Sequence, residues 1–499
     1  MNKTQNRSLT ANRIAYAFFV AFLSFSSFAY SSILDTCLLR SYGGPGNEFA
    51  YSMAAMSDSG VVLAGITNYY GSGGNSVYMV RTDKNGIRRW SKVLGGSAID
   101  QCNSVQVTGD TGVFLIGYTN SFGQGGYDGM IIKTDTGGSE LWEKSYGGSD
   151  WDFFDGGYLL PDGSIIACGR TYSNGAAQCD AYAVCVDTDG NELWHIQLGS
   201  QYDDAFNDVV LQGGYLFFVG TTHLSGGNDK SGYVVKTDLS GNVITELQPS
   251  VPGTCELKAI TAYNNEVVMT GSSMNPDSTH SNGWMVRMDT SCSIIWNRIF
   301  GDFRESYFND VIAVSSNQLV FIGQNVGGGF GGKTMLMIRT DVNGDWQAGH
   351  NFGGSSDEEG YCLIELPGHR LAGCGYTTSW GFGNEDALLF ILPYDSLQMD
   401  YYYNGVYFFE NLSPISVSET TRNPVIVSPN PAHGMISFSG IDISLVKSIS
   451  IIPVDGREML EISKRRIGNG IDVSDFTNGM YFYRLATAAG TYVGKFILE

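Results

Sequence analysis

Short apolar runs that end in glycine recur along most of the chain and form its strongest pattern. The first three runs, VVLAG, VFLIG and IIACG, place glycines at positions 65, 117 and 169. The same pattern continues at Gly220, Gly271, Gly323 and Gly375. Neighbouring glycines are 51 or 52 residues apart, so the pattern indicates seven copies of one structural unit.

Each copy contains four apolar stretches of strand length, separated by turn residues. In the second copy they cover residues 102–107, 113–118, 129–134 and 140–145. Four strands per repeat of this length are typical of a propeller blade, and the sequence therefore predicts a seven-bladed β-propeller. A strand at 36–42 precedes the first full copy and is similar to the fourth strand of the others. We expect it to complete the seventh blade and close the ring.

Three further positions of the repeat are expected to have structural roles. In six copies an Asp follows the repeat glycine by 18 residues, usually with a Gly three residues later, and in four copies a Trp follows that Asp by seven. The Asp should accept backbone N–H bonds at a turn, the Gly should adopt an angle that other residues disfavour, and the Trp should pack between blades. These residues are Asp83, Asp135, Asp187, Asp238, Asp289 and Asp341, and Trp90, Trp142, Trp194 and Trp296.

The composition agrees with an all-β chain that has many turns. Gly accounts for 65 of 499 residues and charged residues for only 16%, which excludes a coiled coil, a collagen and a multi-span membrane protein. Residues 31–423 contain 19 basic and 43 acidic residues, whereas the whole chain has a net charge of −21. Such a surface excludes nucleic acid as a partner and disfavours anionic membranes. It favours cations, basic proteins or neutral glycans, unless the acidity serves only solubility.

The first 31 residues are typical of a signal peptide. Three basic residues precede the apolar run 14–28, and small residues around Ala29 allow cleavage after Ser31. No later stretch approaches about 18 consecutive apolar residues. We therefore expect an exported protein with no membrane-spanning segment in its mature form.

Nine cysteines in an exported chain raise the question of disulfides. The number is odd, so at least one thiol is left over or pairs between chains. The repeat register makes Cys168 and Cys185 neighbours on adjacent strands, and likewise Cys362 and Cys374.

The repeat resembles a bacterial surface propeller repeat of the form LWTKTYGGxxxDxxxSVxxTxDGGYIIAGxTxSFGxGGxDxxLIKTDxxGN. Residues 141–173, LWEKSYGGSDWDFFDGGYLLPDGSIIACGRTYS, are close to this form. The resemblance extends over about residues 36–395, and we assign residues 32–395 to the propeller.

The chain beyond residue 395 no longer follows the repeat. Residues 396–423 are predicted to hold a trailing strand and a linker, and the alternating strands of residues 424–499 predict a small Ig-like β-sandwich. This last segment resembles the type A C-terminal sorting domain of the Bacteroidetes type IX secretion system, with an ordinary Ig-like binding module as the alternative. The matching residues include Pro429, Asn430, Pro431, Gly456, Arg457, Gly479, Tyr481 and Lys495.

The resemblance implies a route and a destination for the protein. It implies that the type IX machinery carries the chain through the outer membrane and that the sorting domain is then removed near the linker. It also implies that the propeller is attached to the cell surface.

An acidic residue recurs just before the innermost strand in six copies and forms the first candidate site. A ring of carboxylates at the channel mouth could hold Ca²⁺ through oxygen ligands or bind a basic partner. Alternatively, each carboxylate could cap a turn of its own blade. The six residues are Glu48, Asp100, Asp152, Asp204, Glu305 and Glu358, with Glu305 one residue out of register.

Loops between the second and third strands form the second candidate site, because they are rich in Gly and aromatic residues. Tyr127 and Trp380 lie in two of these loops. Exposed aromatic rings beside hydrogen-bonding groups can stack on sugar rings, whereas buried ones would pack the tops of the blades.

No catalytic residue is assigned. The six His are scattered, and neither a metalloprotease motif nor a nucleophile elbow or phosphate loop occurs. We therefore expect a non-catalytic, surface-attached module that binds glycans or proteins, with no cofactor unless the acidic ring holds Ca²⁺. A polysaccharide-active hydrolase or lyase that uses channel carboxylates, and a purely structural surface protein, are the alternatives.

Overall fold

The computed structural model describes two compact units, Met1–Ser416 and Val417–Glu499. In the first unit it describes residues 38–71, 74–109, 112–175, 178–223, 229–274, 280–301, 305–326, 332–381, 383–393 and 407–411. In the second it describes residues 426–428, 435–439, 446–453, 460–462, 471–474, 476, 479–487 and 490–498. Within these ranges every regular element is a β-strand. The predicted signal peptide, residues 1–31, lies outside them.

The first unit forms the seven four-stranded blades that the period predicts. Strand β1 (Leu38–Gly43) comes first in the chain. Blade 1 contains β2 (Glu48–Ala55), β3 (Val61–Thr67), β4 (Ser76–Thr82) and β5 (Arg88–Leu94). Blade 2 contains β6 (Asp100–Thr108), β7 (Gly112–Thr119), β8 (Asp128–Thr134) and β9 (Glu140–Tyr146). Blade 3 contains β10 (Asp152–Leu159), β11 (Ile165–Thr171), β12 (Asp180–Val186) and β13 (Glu192–Leu198).

The remaining blades repeat this order. Blade 4 contains β14 (Asp204–Gln212), β15 (Tyr215–His223), β16 (Lys230–Thr237) and β17 (Val243–Leu247). Blade 5 contains β18 (Thr254–Tyr263), β19 (Glu266–Met274), β20 (Asn282–Asp289) and β21 (Ile294–Phe300). Blade 6 contains β22 (Ser306–Val314), β23 (Gln318–Val326), β24 (Lys333–Asp341) and β25 (Trp346–Phe352). Blade 7 contains β26 (Glu358–Leu366), β27 (Arg370–Thr377) and β28 (Asp386–Pro393), and β1 adds to β28.

The N-terminal strand closes the ring, as predicted from residues 36–42. Strand β1 pairs antiparallel with β28, from Leu38 opposite Ile391 to Tyr42 opposite Ala387. A fifth strand, β29 (Tyr407–Asn411), pairs in parallel with the other edge of β1. The backbone groups of that edge are thereby paired within the same chain.

The apolar runs of the repeat lie in the middle strands of each blade. Strands β3 and β4 are buried along their whole length, whereas β5, the outermost strand of blade 1, is mostly half-buried. Both faces of a middle strand are covered because one apolar cluster lies between each pair of neighbouring blades. Full burial of one such side chain is worth about 1.5–3 kcal/mol, so the stabilisation is distributed around the ring.

A β-bulge interrupts the innermost strand of every blade at the same place. In blade 1 the bulge residue is Tyr51, between Ala50 and Ser52. The corresponding residues of blades 2 to 7 are Asn103, Asp155, Asn207, Lys258, Asn309 and Tyr361. A bulge inserts one extra residue and re-aims its side chain. We call these seven residues the bulge ring.

The bulge explains the repeat glycine. A Cβ on Gly65 would lie 2.0 Å from the carbonyl oxygen of Phe49. At the six other repeat glycines the matching distance to the innermost strand is between 1.8 and 2.0 Å. Every copy therefore has glycine at this position, because the bulged strand places a backbone carbonyl where the Cβ of any other residue would lie.

The Asp and Trp positions have the structural roles that the sequence predicts. Asp83 Oδ1 accepts the backbone N–H of Asn85 at 2.8 Å and of Ile87 at 2.9 Å. The Trp ring of one blade packs on this turn in the next blade. Trp142 Nε1, for example, donates to the carbonyl of Thr188 at 3.3 Å.

Eight of the nine cysteines lie in the described residues, and all eight are free. Cys362 lies directly opposite Cys374 in the pairing of β26 with β27. Cys168 faces Ala183 instead, two positions before Cys185 on the neighbouring strand. Cys37 lies outside the described residues.

The second unit contains two sheets around one apolar core, as predicted for a small β-sandwich. One sheet contains β30 (Ile426–Ser428), β31 (Met435–Ser439) and β34 (Ile471–Asp472). The other contains β32 (Val446–Pro453), β33 (Leu460–Ile462), β35 (Gly479–Thr487) and β36 (Gly490–Leu498). Of the predicted motif residues, Gly479 and Tyr481 lie on β35 and Lys495 on β36. Pro429, Asn430, Pro431, Gly456 and Arg457 lie outside the described residues.

Candidate functional site

A cavity of about 510 Å³ lies on the axis of the propeller. Residues from the innermost strands of all seven blades line it, and the whole bulge ring is among them. Small-molecule sites in proteins typically have volumes of about 300–1,000 Å³. The cavity therefore has the size of a ligand site, and the bulge residues in its wall differ from blade to blade.

Amide side chains of the bulge ring connect neighbouring blades. Asn103 donates to the carbonyl of Phe154 at 2.8 Å, and Asn207 donates to that of Leu257 at 2.6 Å. Asn309 donates to the carbonyl of Gly360 at 2.9 Å. These amides are held rigidly because each bonds to the backbone of the following blade.

Opposite charges lie close together on the cavity wall. Arg170 donates to Asp155 at 2.7 Å. Burial raises the pKa of the Asp155 carboxyl, and the nearby guanidinium opposes this shift. Lys258 Nζ lies 3.6 Å from Glu256 and donates to Asn309 at 3.1 Å. Both cations of the wall thus have an acidic neighbour.

Two further carboxylates of the wall belong to blades 4 and 6. Asp208 accepts the backbone N–H of Ile260 at 3.0 Å, and Asp310 accepts that of Leu363 at 2.7 Å. Each also accepts the N–H of the residue that follows it. Burial raises the pKa of both carboxyls to about 7, and the charge of Asp310 adds to the shift of Asp208.

Aromatic rings gather in two groups beside the cavity. One group joins blades 7 and 1: Tyr51 contacts Tyr361 with ring centroids 5.1 Å apart, and Phe49 contacts Tyr376 at the same distance. We call the other the blade 2–3 aromatic group, and it consists of Tyr118, Tyr127, Trp151, Phe153 and Tyr172.

The predicted acidic ring has a different environment from the cavity wall. Glu48, Asp100, Asp152, Asp204 and Glu358 are buried. Each accepts the backbone N–H of the residue four positions before it, at 2.6–2.9 Å. None of the five is among the residues that line the cavity. These contacts are those of carboxylates that each cap the turn leading into their blade.

Glu305, the sixth acidic candidate, differs from the other five in its register. Ser306 occupies the register position in blade 6, so Glu305 lies one residue before β22.

In the part of the chain that the structure describes, no group of three or more His, Cys, Asp or Glu residues is arranged to hold a metal ion.

The two aromatic candidates from the loops differ in their surroundings. Tyr127 belongs to the blade 2–3 aromatic group, where its ring lies 5.7 Å from that of Trp151. Trp380 packs against the apolar cluster between blades 6 and 7. Trp151 is not among the residues predicted from the sequence, because it lies just before an innermost strand and not in a Gly-rich loop.

Comparison with known proteins identifies the second unit. Residues 427–499 match the family model described as the secretion system C-terminal sorting domain. The chain is thus a seven-bladed β-propeller that carries a C-terminal sorting domain. This domain indicates export through the type IX secretion system to the cell surface. No curated protein matches the sequence at a significant level.

Solved structures resemble the propeller at low sequence identity. The WD40 domain of Neurospora crassa Pan2 is 10% identical with a TM-score of 0.44, over 70% of this chain and 90% of that one. Chaetomium thermophilum Sqt1 is 12% identical with a TM-score of 0.41, over 72% and 98%. Extracellular domains 1–2 of Drosophila Semaphorin 1b are 8% identical with a TM-score of 0.39, over 70% and 88%. Similarities this distant indicate nothing about ligands.

A helix long and apolar enough to cross a membrane is absent from the described residues.

Proposed function

We propose that the protein is a non-catalytic binding module of the cell surface whose ligand, a glycan or a segment of another protein, enters the axial channel. The observation that carries this proposal is the bulge ring. The repeat glycine is the same in all seven copies, whereas the bulge position holds Tyr, Asn, Asp, Asn, Lys, Asn and Tyr. Because the fold requires only a bulge there, this variety is best explained by contact with an asymmetric ligand.

The chemistry of the cavity favours a polar ligand without a large charge. Amides of the bulge ring and the phenol groups of Tyr51 and Tyr361 offer both donors and acceptors. The cation of Arg170 is offset by Asp155, and that of Lys258 by Glu256. A glycan meets these conditions, and so does a polar peptide segment.

Binding to an array of glycans and peptides tests the proposal with the full-length exported chain. The variant combines Tyr51→Asn, Lys258→Asn and Tyr361→Asn. Asn already occupies this position in blades 2, 4 and 6, so the blades should tolerate it. We expect the unchanged chain to bind and the triple variant to lose at least tenfold in affinity at an equal melting temperature.

A control variant and two contrary results complete the test. Trp346→Glu changes an exposed residue of β25 to one found at that position in blades 2 and 3, and it should leave binding unchanged. Equal binding by the triple variant would place the ligand elsewhere. A parallel arm with Ca²⁺ or a chelator tests the alternative that the acidic ring holds Ca²⁺, since a chelator should abolish binding only if the acidic ring holds an ion.

A second candidate function, cleavage of a polysaccharide, is favoured by Asp208 and Asp310. A carboxyl with a pKa of about 7 suits a general acid. Both oxygens of each carboxylate already accept backbone N–H bonds, which is why we prefer binding. Sugar release on the array that disappears in Asp208→Ser would establish the enzyme instead.

A further inference from the structure

An exposed tryptophan lies at a position where the blade does not require an aromatic residue. Trp151 is 50% exposed and immediately precedes β10. The same position in the other six blades is polar or aliphatic, with Asn47, Ile99, Asp203, Thr254, Glu305 and Asp357. Half of a large apolar ring is thus exposed to water at a position where the other blades have no aromatic side chain.

Neighbouring rings hold Trp151 in one orientation. Tyr127 meets it edge-on at 5.7 Å, Tyr172 at 6.2 Å and Phe153 at 6.4 Å between centroids. Edge-to-face contacts of this kind are favourable beyond the area they bury. A ring fixed before the ligand arrives loses little entropy on binding.

A continuous set of contacts leads from Trp151 to the cavity. The ring of Phe153 contacts that of Trp151. The guanidinium of Arg170 lies over the Phe153 ring, 4.7 Å from its centroid. Arg170 and its partner Asp155 both line the cavity. An extended ligand on Trp151 can therefore reach the planar hydrogen-bonding groups of Arg170 and Asp155 further in.

We propose that Trp151 is the platform on which a pyranose ring of a neutral oligosaccharide stacks at the mouth of the channel. This inference rests on the proposed binding function and specifies its ligand. The C–H face of a pyranose matches an exposed indole face, and its hydroxyls match the Asp155–Arg170 pair. A neutral sugar is specified because that pair has no net charge and the chain around it is acidic.

The test compares the full-length chain with Trp151→Asp, which introduces the residue of blades 4 and 7. The probes are cellopentaose, mannopentaose and chitopentaose, with an oligogalacturonate as the acidic comparison. We expect at least one neutral probe to bind, Trp151→Asp to weaken it by about tenfold or more, and Trp151→Tyr to restore part of the affinity. Trp346→Glu, at the outermost strand of blade 6, should not alter binding.

Fluorescence provides a second readout. Stacking of a sugar on Trp151 should change the indole emission of the unchanged chain and of Trp346→Glu, and this change should be absent in Trp151→Asp. A change that persists in Trp151→Asp would overturn the platform.

Failures of the two proposals are distinguishable. If the triple variant of the bulge ring loses binding but Trp151→Asp retains it, the platform is wrong and the binding function stands. Preference for the oligogalacturonate overturns the neutral ligand. If no probe binds and the array is also silent, both proposals fail.

Discussion

Positive backbone angles recur at one position of the turn between the third and fourth strands. Gly86, Gly138, Gly190, Gly241 and Gly344 have φ between 69° and 80° there. In blade 5 the position holds Cys292 with φ of 70°. Its N–H donates to the carbonyl of Asp289 at 3.0 Å, as that of Gly86 does to Asp83. Blade 5 therefore makes the same turn with a residue that disfavours it.

Cys292→Gly should stabilise the propeller. An L-residue in the left-handed region costs about 1–2 kcal/mol, and the greater freedom of glycine when unfolded offsets part of the gain. We expect the free energy of unfolding to rise by about 1 kcal/mol, measured by denaturant titration. The reciprocal control, Gly241→Cys, should lower it by a similar amount. An unchanged or lower value for Cys292→Gly would contradict the strain at this turn.

The channel carboxylates should make stability depend on pH. Asp208 and Asp310 bind their protons more tightly in the folded chain, because their pKa rises to about 7 from an ordinary value of about 3.9. Their contribution is therefore most favourable at low pH and is lost as the pH rises through 7. We expect the melting temperature of the unchanged chain to fall more steeply between pH 5 and 8 than that of Asp208→Ser/Asp310→Ser.

Serine is the matched replacement because Ser52 already has the same role in blade 1. Its hydroxyl accepts the N–H of Val105 at 3.1 Å, as Asp208 accepts that of Ile260. Parallel pH profiles of the two proteins would show that neither carboxyl is shifted.

At the scale of the strand, the bulge and the repeat glycine occur together because each requires the other. The extra residue turns the bulge side chain toward the channel, and it also brings the preceding carbonyl against the next strand. Gly117 faces Cys102 across this pairing, and a Cβ there would lie 1.9 Å from the oxygen of Gln101. The channel-facing position and the most regular position of the repeat thus depend on each other.

Gly117→Ala should therefore be costly although alanine is small. The backbone must shift by more than an ångström to admit the methyl group, and we expect a loss of about 3 kcal/mol in the free energy of unfolding. Gly74→Ala is the control, because its Cβ would meet only a side-chain carbon at 3.5 Å. Equal stability of the two variants in thermal melts would refute the close approach.

At the scale of the whole molecule, closure of the ring creates the channel. Tyr42 on β1 donates its hydroxyl to the carbonyl of Gly86 in blade 1, and Tyr146 on β9 donates to that of Gly190 in blade 3 at 2.8 Å. The junction between blades 7 and 1 is thus built like an internal junction. Since stability is distributed over seven such interfaces, no single blade is dispensable.

Tyr42→Ala should be as destabilising as Tyr146→Ala if the ring is closed in solution. Both side chains are buried, and truncation of a buried aromatic residue costs about 3–5 kcal/mol. Chemical denaturation of both variants measures the difference. A loss in Tyr146→Ala alone would show that blades 7 and 1 are not joined.

The sequence alone predicts the number of blades, the closing strand and the sorting domain. Each depends on a pattern that is local in the chain: the spacing of Gly65 and its six counterparts, the likeness of residues 36–42 to a fourth strand, and the motif around Tyr481. Apolar runs of strand length and turn residues determine such units before any long-range contact is considered.

Only the tertiary structure decides which side chains face the channel. Strand alternation does not foresee a bulge, because the register shift at Asp155 arises from pairing with the neighbouring strand. It likewise decides that Glu48 caps the turn that leads from β1 into its blade, since it accepts the N–H of Gly44 in that turn. Trp151 becomes a candidate platform only when Tyr127, Phe153 and Tyr172 gather around it, because exposure and ring contacts depend on how the blades pack together.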